Sequence, residues 1–244
     1  MHPMLKLLAS NRRQGQFRAE TKAGTDEATI YLYDMIVDSD IEAEWWGGVS
    51  PQSFIAALNA IDAKTIHLRV NSPGGSVFAA RAIEQAIREH KSEIIAHVDG
   101  LAASAASFLI MAADKIEMAP GSFLMIHKAW TLAYGNEDDM TKTAALLKQI
   151  DGSLVKTYAA RSNQNPEEIS GWMAAETWIE ADRAVDLGFA DSVTSAEQPK
   201  SAAWDLSAYE NAPKIEARPL PPKNSGPDRD ALRRAAHLAI QVPA

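Results

Sequence analysis

Ser104, His127 and a downstream carboxylate are the residue types that hydrolyse an amide by nucleophilic attack. The hydroxyl attacks the carbonyl carbon and a neutral imidazole takes its proton. A carboxylate orients the imidazole, and backbone N–H groups hold the oxyanion. Ser104 stands near the start of the small-residue stretch Gly100-Leu101-Ala102-Ala103-Ser104-Ala105-Ala106-Ser107, expected to be a glycine turn followed by a helix. Unpaired N–H groups and the positive end of the helix dipole gather at such a start. The stretch has a plainer reading too, as small residues at a tight helix contact. Ser107, one turn further on, is expected to pack rather than react. Glu176, Asp151 and Asp139 are all open as the orienting acid. The oxyanion donors would be the amides of Gly75 and Ala105.

Two successive strand–turn–helix units place these groups. Thr65–Val70 reads as a strand and Asn71-Ser72-Pro73-Gly74-Gly75-Ser76 as its turn. A helix then carries Phe78, Ala82, Ile83, Ala86 and Ile87 to about His90. Glu93–Val98, the turn at Gly100 and the Ser104 helix repeat the pattern. Consecutive units of this kind imply neighbouring parallel strands whose turns share one edge of the sheet. Gly74 and Gly75 are therefore expected beside Ser104, although 30 residues separate Gly74 from Ser104. A glycine pair also leaves its N–H groups free of side chains, open to a ligand. Lys115–Met118 reads as a third strand and Phe123–Ile126 as a fourth, ended by His127 at the same edge.

The rest of the chain is framework. Thr29–Tyr33 is expected to be the first strand, preceded by a flexible lead-in over residues 1–28. Ile41–Val49 reads as a loop with two tryptophans, Trp45 and Trp46. Ser50-Pro51 opens a helix as cap and first-turn proline, with Phe54, Ala57, Leu58 and Ile61 on one face. His67 and Arg69 alternate with apolar neighbours and are expected to point away from the core. A long helix runs from Asn136 to about Arg161, with Met140, Ala144, Leu147, Ile150, Leu154 and Tyr158 as its inward stripe. A further helix starts at Asn165-Pro166. Glu176–Glu180 is an extended link, and Ala181–Leu187 is a last helix closed by Gly188. Residues 194–244 form a linker-like tail. Seven of the twelve prolines fall in 195–244, and a short amphipathic helix is expected at 228–240.

Composition narrows the function. The chain has 244 residues and a net charge of −8, which gives no support to nucleic-acid binding. It has no cysteine, which excludes disulfides, thiolate catalysis and Cys-ligated metals. No metal and no cofactor is called for. The longest run free of charge, Gly100–Ala113, is short of the roughly 20 residues that span a bilayer. The N-terminal apolar run is too short for a signal peptide, and a soluble, cytoplasmic protein is expected. No P-loop pattern is present, so an ATPase of that type would have to be a partner.

Three linked motifs carry a resemblance. Asn71-Ser72-Pro73-Gly74-Gly75, Gly100-Leu101-Ala102-Ala103-Ser104 and Met125-Ile126-His127 resemble, in order and spacing, the proteolytic subunit of the caseinolytic protease (ClpP) family. The resemblance covers about residues 29–193. It implies an α/β fold of the crotonase/ClpP type, built of repeated β-turn-α units. It implies Ser104 as nucleophile, His127 as general base, and Gly75 with Ala105 as oxyanion donors, Gly74 lying in the same turn. Aligning Ala184–Asp191 with the family's last helix and strand puts Glu176 where the family usually has aspartate. Glutamate is one methylene longer, and Asp151 and Asp139 stay open.

The resemblance further implies homo-oligomeric rings, often stacked heptamers, that enclose the serine and act on protein or peptide substrates. The long helix would be the handle between rings. An ATPase chaperone or capsid and scaffold proteins would be the other partners. Glu176-Thr177-Trp178 and His127-Lys128-Ala129-Trp130 look most like the phage and prophage branch, associated with head maturation in a bacterial or phage-infected cell. Three other readings remain at this stage. One is a crotonase-fold acyl-CoA hydratase or lyase, which needs no nucleophile. Another is a Ser–Lys peptidase with Lys128 or another lysine as base. The last is a catalytically silent ring or capsid-assembly scaffold subunit.

Overall fold

Alternating apolar residues build the centre of the fold. In the computed structural model, which describes residues 2–21, 24–195 and 204–213, β3 (Thr65–Ser72) buries Ile66, Leu68 and Val70, and β4 (Glu93–Ala103) buries Ile94, Ala96 and Val98. Residues two apart share a face. One face of the sheet is thus apolar and covered by helices, and the other carries His67, Arg69, His97 and Asp99. These make a polar row. His67 Nδ1 and His97 Nε2 lie 2.9 Å apart, and Arg69 and Tyr33 both bond the Asp99 carboxylate. His67 and Arg69 do point away from the core.

Among the described residues, eight strands form one sheet. β1 (Gln16–Thr21) runs antiparallel to β2 (Glu27–Tyr33) at one edge. From β2 the order continues through β3, β4, β5 (Lys115–Met118) and β8 (Ser192–Val193), all parallel. β4 is the branch point. Its first half pairs with β5, while Leu101–Ala103 pairs with β6 (Phe123–Ile126). β7 (Thr177–Glu180) then closes antiparallel on β6. The expected turn at Gly100 is corrected: β4 continues through it to Ala103, with its register against β3 shifted between the Val70–Val98 and Ser72–Ala102 pairs. The added ladder to β6 keeps the backbone extended, and the turn comes at Ser104 instead.

Helices α3 (Pro51–Asn59), α4 (Val77–Glu89) and α5 (Ala105–Leu109) cover the apolar face. Ser50 caps α3 by accepting from the amide of Ser53, with Pro51 in the first turn. The stretch read as a loop with two tryptophans contains α2 (Asp40–Trp46), capped by Ser39. None of its residues is buried, so no apolar stripe announces it. α6 (Glu137–Ser162) begins with a capping box between Asn136 and Asp139. Only its C-terminal half docks, through Leu154 and Tyr158, while Met140 and Leu146 stand exposed. Arg81 of α4 ties it down by hydrogen bonds to Thr157 and Ser153. α7 (Pro166–Ala174) and α8 (Ala181–Asp186) follow, and Gly188 takes the positive φ of a helix stop. Among the described residues no helix is long and apolar enough to cross a membrane.

The N-terminus differs from the flexible lead-in expected over residues 1–28. α1 (Pro3–Ser10) and β1 occupy it, with Leu7 buried and Phe17 packed on Phe54. Leu7 belongs to a second apolar cluster with Met35, Leu101, Met125, Leu206 and Tyr209. Part of the tail is therefore docked on the body. The helix expected at 228–240 lies outside the described residues.

Candidate active site

Ser104 directly follows the long strand β4 and stands at the N-cap position of the short helix α5. Its φ of 55° and ψ of −120° put it in a region that non-glycine residues rarely occupy. Such a strand-to-helix elbow thrusts the side chain out of the sheet edge. The backbone is pinned there by Ser104 N donating to Met125 O at 2.8 Å, and by Ser107 N donating to Ser104 O at 3.0 Å. Buried Ser107 bonds Ser104 O and Tyr158 Oη, a packing role as expected.

His127 follows the last residue of β6, the neighbour of β4. Its Nε2 lies 2.7 Å from Ser104 Oγ. The imidazole is only 8% exposed, and burial lowers its pKa from the ordinary value to about 4. It is therefore neutral at physiological pH, the form that can accept the serine proton. Trp130 packs edge-on against its ring at 4.6 Å between centroids. Lys128, the other base considered, has an exposed side chain.

The glycine turn arrives where parallel strands require. Gly74 has φ 91°, and a Cβ added there would lie 2.6 Å from Ala103 O and 2.8 Å from Ser104 Cβ. Only glycine permits that approach. The segment after β2 fixes the turn from the other side. Ile36 N donates to Gly74 O and Ser76 N to Ile36 O, each at 2.9 Å. Ser72 Oγ donates to Asp34 O at 2.6 Å. Ile36 was not singled out in the sequence, because a lone apolar residue beyond a strand carries no pattern. Ala105 is the first residue of α5, so its amide has no intrahelical partner. Ser104, His127, Gly74, Gly75 and Ala105 thus meet at one edge.

The three carboxylates are sorted by their partners. Asp139 closes the α6 capping box. Asp151 Oδ1 accepts from Ala129 N at 2.9 Å and so steadies the segment after His127. Glu176, at φ 48°, accepts from Trp178 Nε1 at 3.3 Å, Glu210 N at 3.1 Å and Asn211 N at 2.7 Å. Among the described residues no carboxylate hydrogen-bonds the His127 ring. The expected orienting contact is not formed; the Glu176 carboxylate accepts instead from Trp178 and from the backbone of the 204–213 segment.

That segment also brings a residue that sequence reasoning missed. Tyr209 is 5% exposed and packs edge-on to His127 at 5.5 Å and to Trp178 at 5.8 Å. Its Oη donates to Pro73 O at 2.5 Å. Burial raises the phenol pKa; the nearby Ser104 hydroxyl opposes the shift and the Glu176 charge adds to it. The sequence signal was an aromatic pair, Trp204 and Tyr209, inside an otherwise proline-rich tail.

Residues 25–197 match the model of the Clp protease family. The chain is similar to an ATP-dependent Clp protease proteolytic subunit of Streptococcus agalactiae, 33% identical over 149 residues, or 58% of this chain and 76% of that protein. It is also similar to the subunit of the same name from Bacteroides fragilis, 30% identical over 165 residues, or 66% of this chain and 80% of that protein. The family match covers well over half of the sequence, across the elbow, the glycine turn and the histidine: the chain belongs to the Clp protease family.

Proposed function

We propose that this chain is a serine endopeptidase of the Clp type, with Ser104 as nucleophile, His127 as general base, and the amides of Gly75 and Ala105 as oxyanion donors. The 2.7 Å contact between Ser104 Oγ and His127 Nε2, at a strained elbow, carries the reading. Ser104 Oγ attacks the scissile carbonyl carbon while His127 Nε2 takes its proton. Negative charge develops on the carbonyl oxygen and is met by the two amides. The imidazolium then protonates the leaving amine, the C–N bond breaks, and an acyl-serine remains. Water attacks that ester by the same route in reverse. Glu176 orients the imidazole once its carboxylate is released from the 204–213 segment.

A hydratase on this fold would need no serine bonded to a histidine, and a Ser–Lys peptidase would need a lysine at the hydroxyl. The observed contact favours the Ser–His reading over both. The narrower reading is a phage or prophage head maturation protease working as a ring inside the infected cell. The exposed Met140 and Leu146 on the undocked half of α6 support its ring-to-ring contact. Hydrolysis of a fluorogenic peptide by purified protein, abolished in Ser104→Ala with the melting temperature unchanged, is the expected result. Hydrolysis that survives Ser104→Ala removes the reading.

A further inference from the structure

The segment 204–213 is attached at four places. Asn11, fully buried on the turn after α1, donates to Asp205 O at 2.9 Å and accepts from Asp205 N at 2.8 Å, pairing that backbone as a neighbouring strand would. Leu206 packs into the cluster that holds Leu7. Tyr209 fills the space bounded by His127, Trp130 and Trp178, its hydroxyl anchored on Pro73 O, the carbonyl just before the glycine turn. The next two amides, Glu210 N and Asn211 N, take both oxygens of Glu176, and Asn211 Nδ2 donates to Ala175 O at 2.9 Å. One segment therefore packs on the base beside the nucleophile, and it engages the carboxylate that would orient the base.

We propose that residues 204–213 are an intrasteric inhibitor of this protease, in which Tyr209 occupies the aromatic subsite beside Ser104 and the amides of Glu210 and Asn211 hold Glu176 away from His127. The inference rests on the catalytic reading above. Its ligand chemistry is explicit: a peptide with an aromatic, hydroxyl-bearing side chain, read by tilted and edge-on ring contacts with Trp130 and Trp178 and by one carbonyl acceptor. Substrate and tail compete for one place, so the intact chain works only in the fraction of time that the tail is undocked.

The test uses the full-length chain, labelled at Ser104 with a fluorophosphonate, beside Tyr209→Ala and Asn11→Ala, which loosen different attachments. Labelling and peptide hydrolysis are expected to rise by on the order of tenfold in both variants. A synthetic peptide spanning residues 204–213 is expected to inhibit Tyr209→Ala by raising KM with kcat unchanged. Equal labelling rates in the intact chain and both variants overturn the inhibitor while leaving the protease standing. No labelling in any form overturns the catalytic reading and the inhibitor with it.

Discussion

Gly74 sits so close to Ser104 that a Cβ on the glycine would come within 2.8 Å of the serine Cβ. Two parallel strands and their turns bring these distant positions together. Gly74→Ala tests how much the site depends on it. The substitution forces an alanine into φ 91° against the Ala103 carbonyl, a backbone cost of about 1–3 kcal/mol. If the turn shifts to relieve it, one oxyanion donor moves out of line, and kcat falls by roughly 10²-fold or more. Thermal melting and steady-state kinetics on the same sample read both effects, and an unchanged kcat would show that the turn plays no part in holding the oxyanion.

The buried imidazoles set an acid limit. His127 and His97 are each held near a pKa of about 4, both mainly by burial, with Glu117 opposing the shift at His97. In the unfolded chain these groups take a proton near about 6.5. Between those values the unfolded state binds more protons, so stability falls as pH drops from about 6.5 to 4. The melting temperature is expected to decline across that window, less steeply in His97→Gln. A flat profile from neutrality to pH 4 would contradict the burial.

Activity follows the same group with a different dependence. Only neutral His127 can accept the serine proton, so kcat/KM falls as pH drops through its pKa. In the intact chain that fall is expected well below the ordinary imidazole value. Loosening the tail by Tyr209→Ala admits Glu176 and water to the ring, and the midpoint is expected to move upward. Identical midpoints in the two proteins would mean that the tail does not alter the environment of His127.

Glu176→Gln separates charge from shape. The amide keeps the size of the side chain but loses the negative charge that stabilises an imidazolium. We expect kcat to drop by about 10²-fold or more, in a protein that still melts cooperatively, with the loss largest in the Tyr209→Ala background. Near-normal turnover would leave His127 oriented by another group, with Asp151 the next candidate through its hold on Ala129.

Much of the site could be read from the sequence because it hangs on regular elements. Alternation in Thr65–Val70 and Glu93–Val98, and the cap at Ser50-Pro51, placed β3, β4 and α3 correctly and brought the Pro-Gly-Gly turn to Ser104. Gly100 misled because a glycine before small residues reads as a turn, whereas the ladder from Leu101 to Phe123 keeps it extended. α2 was hidden because it buries nothing and is set by its cap alone. Tyr209 was beyond reach for another reason. Its place depends on Leu7, Asn11 and the Pro73 carbonyl, which lie far from it in sequence and meet only in the folded chain.

The most direct measurement of the central claim is the site of fluorophosphonate attachment, mapped by mass spectrometry in the tail-loosened Tyr209→Ala protein and in the same protein carrying His127→Ala. A single adduct on Ser104 that disappears when His127 is removed is expected. An adduct on Ser107 or elsewhere, or undiminished labelling of Ser104 without His127, would contradict it.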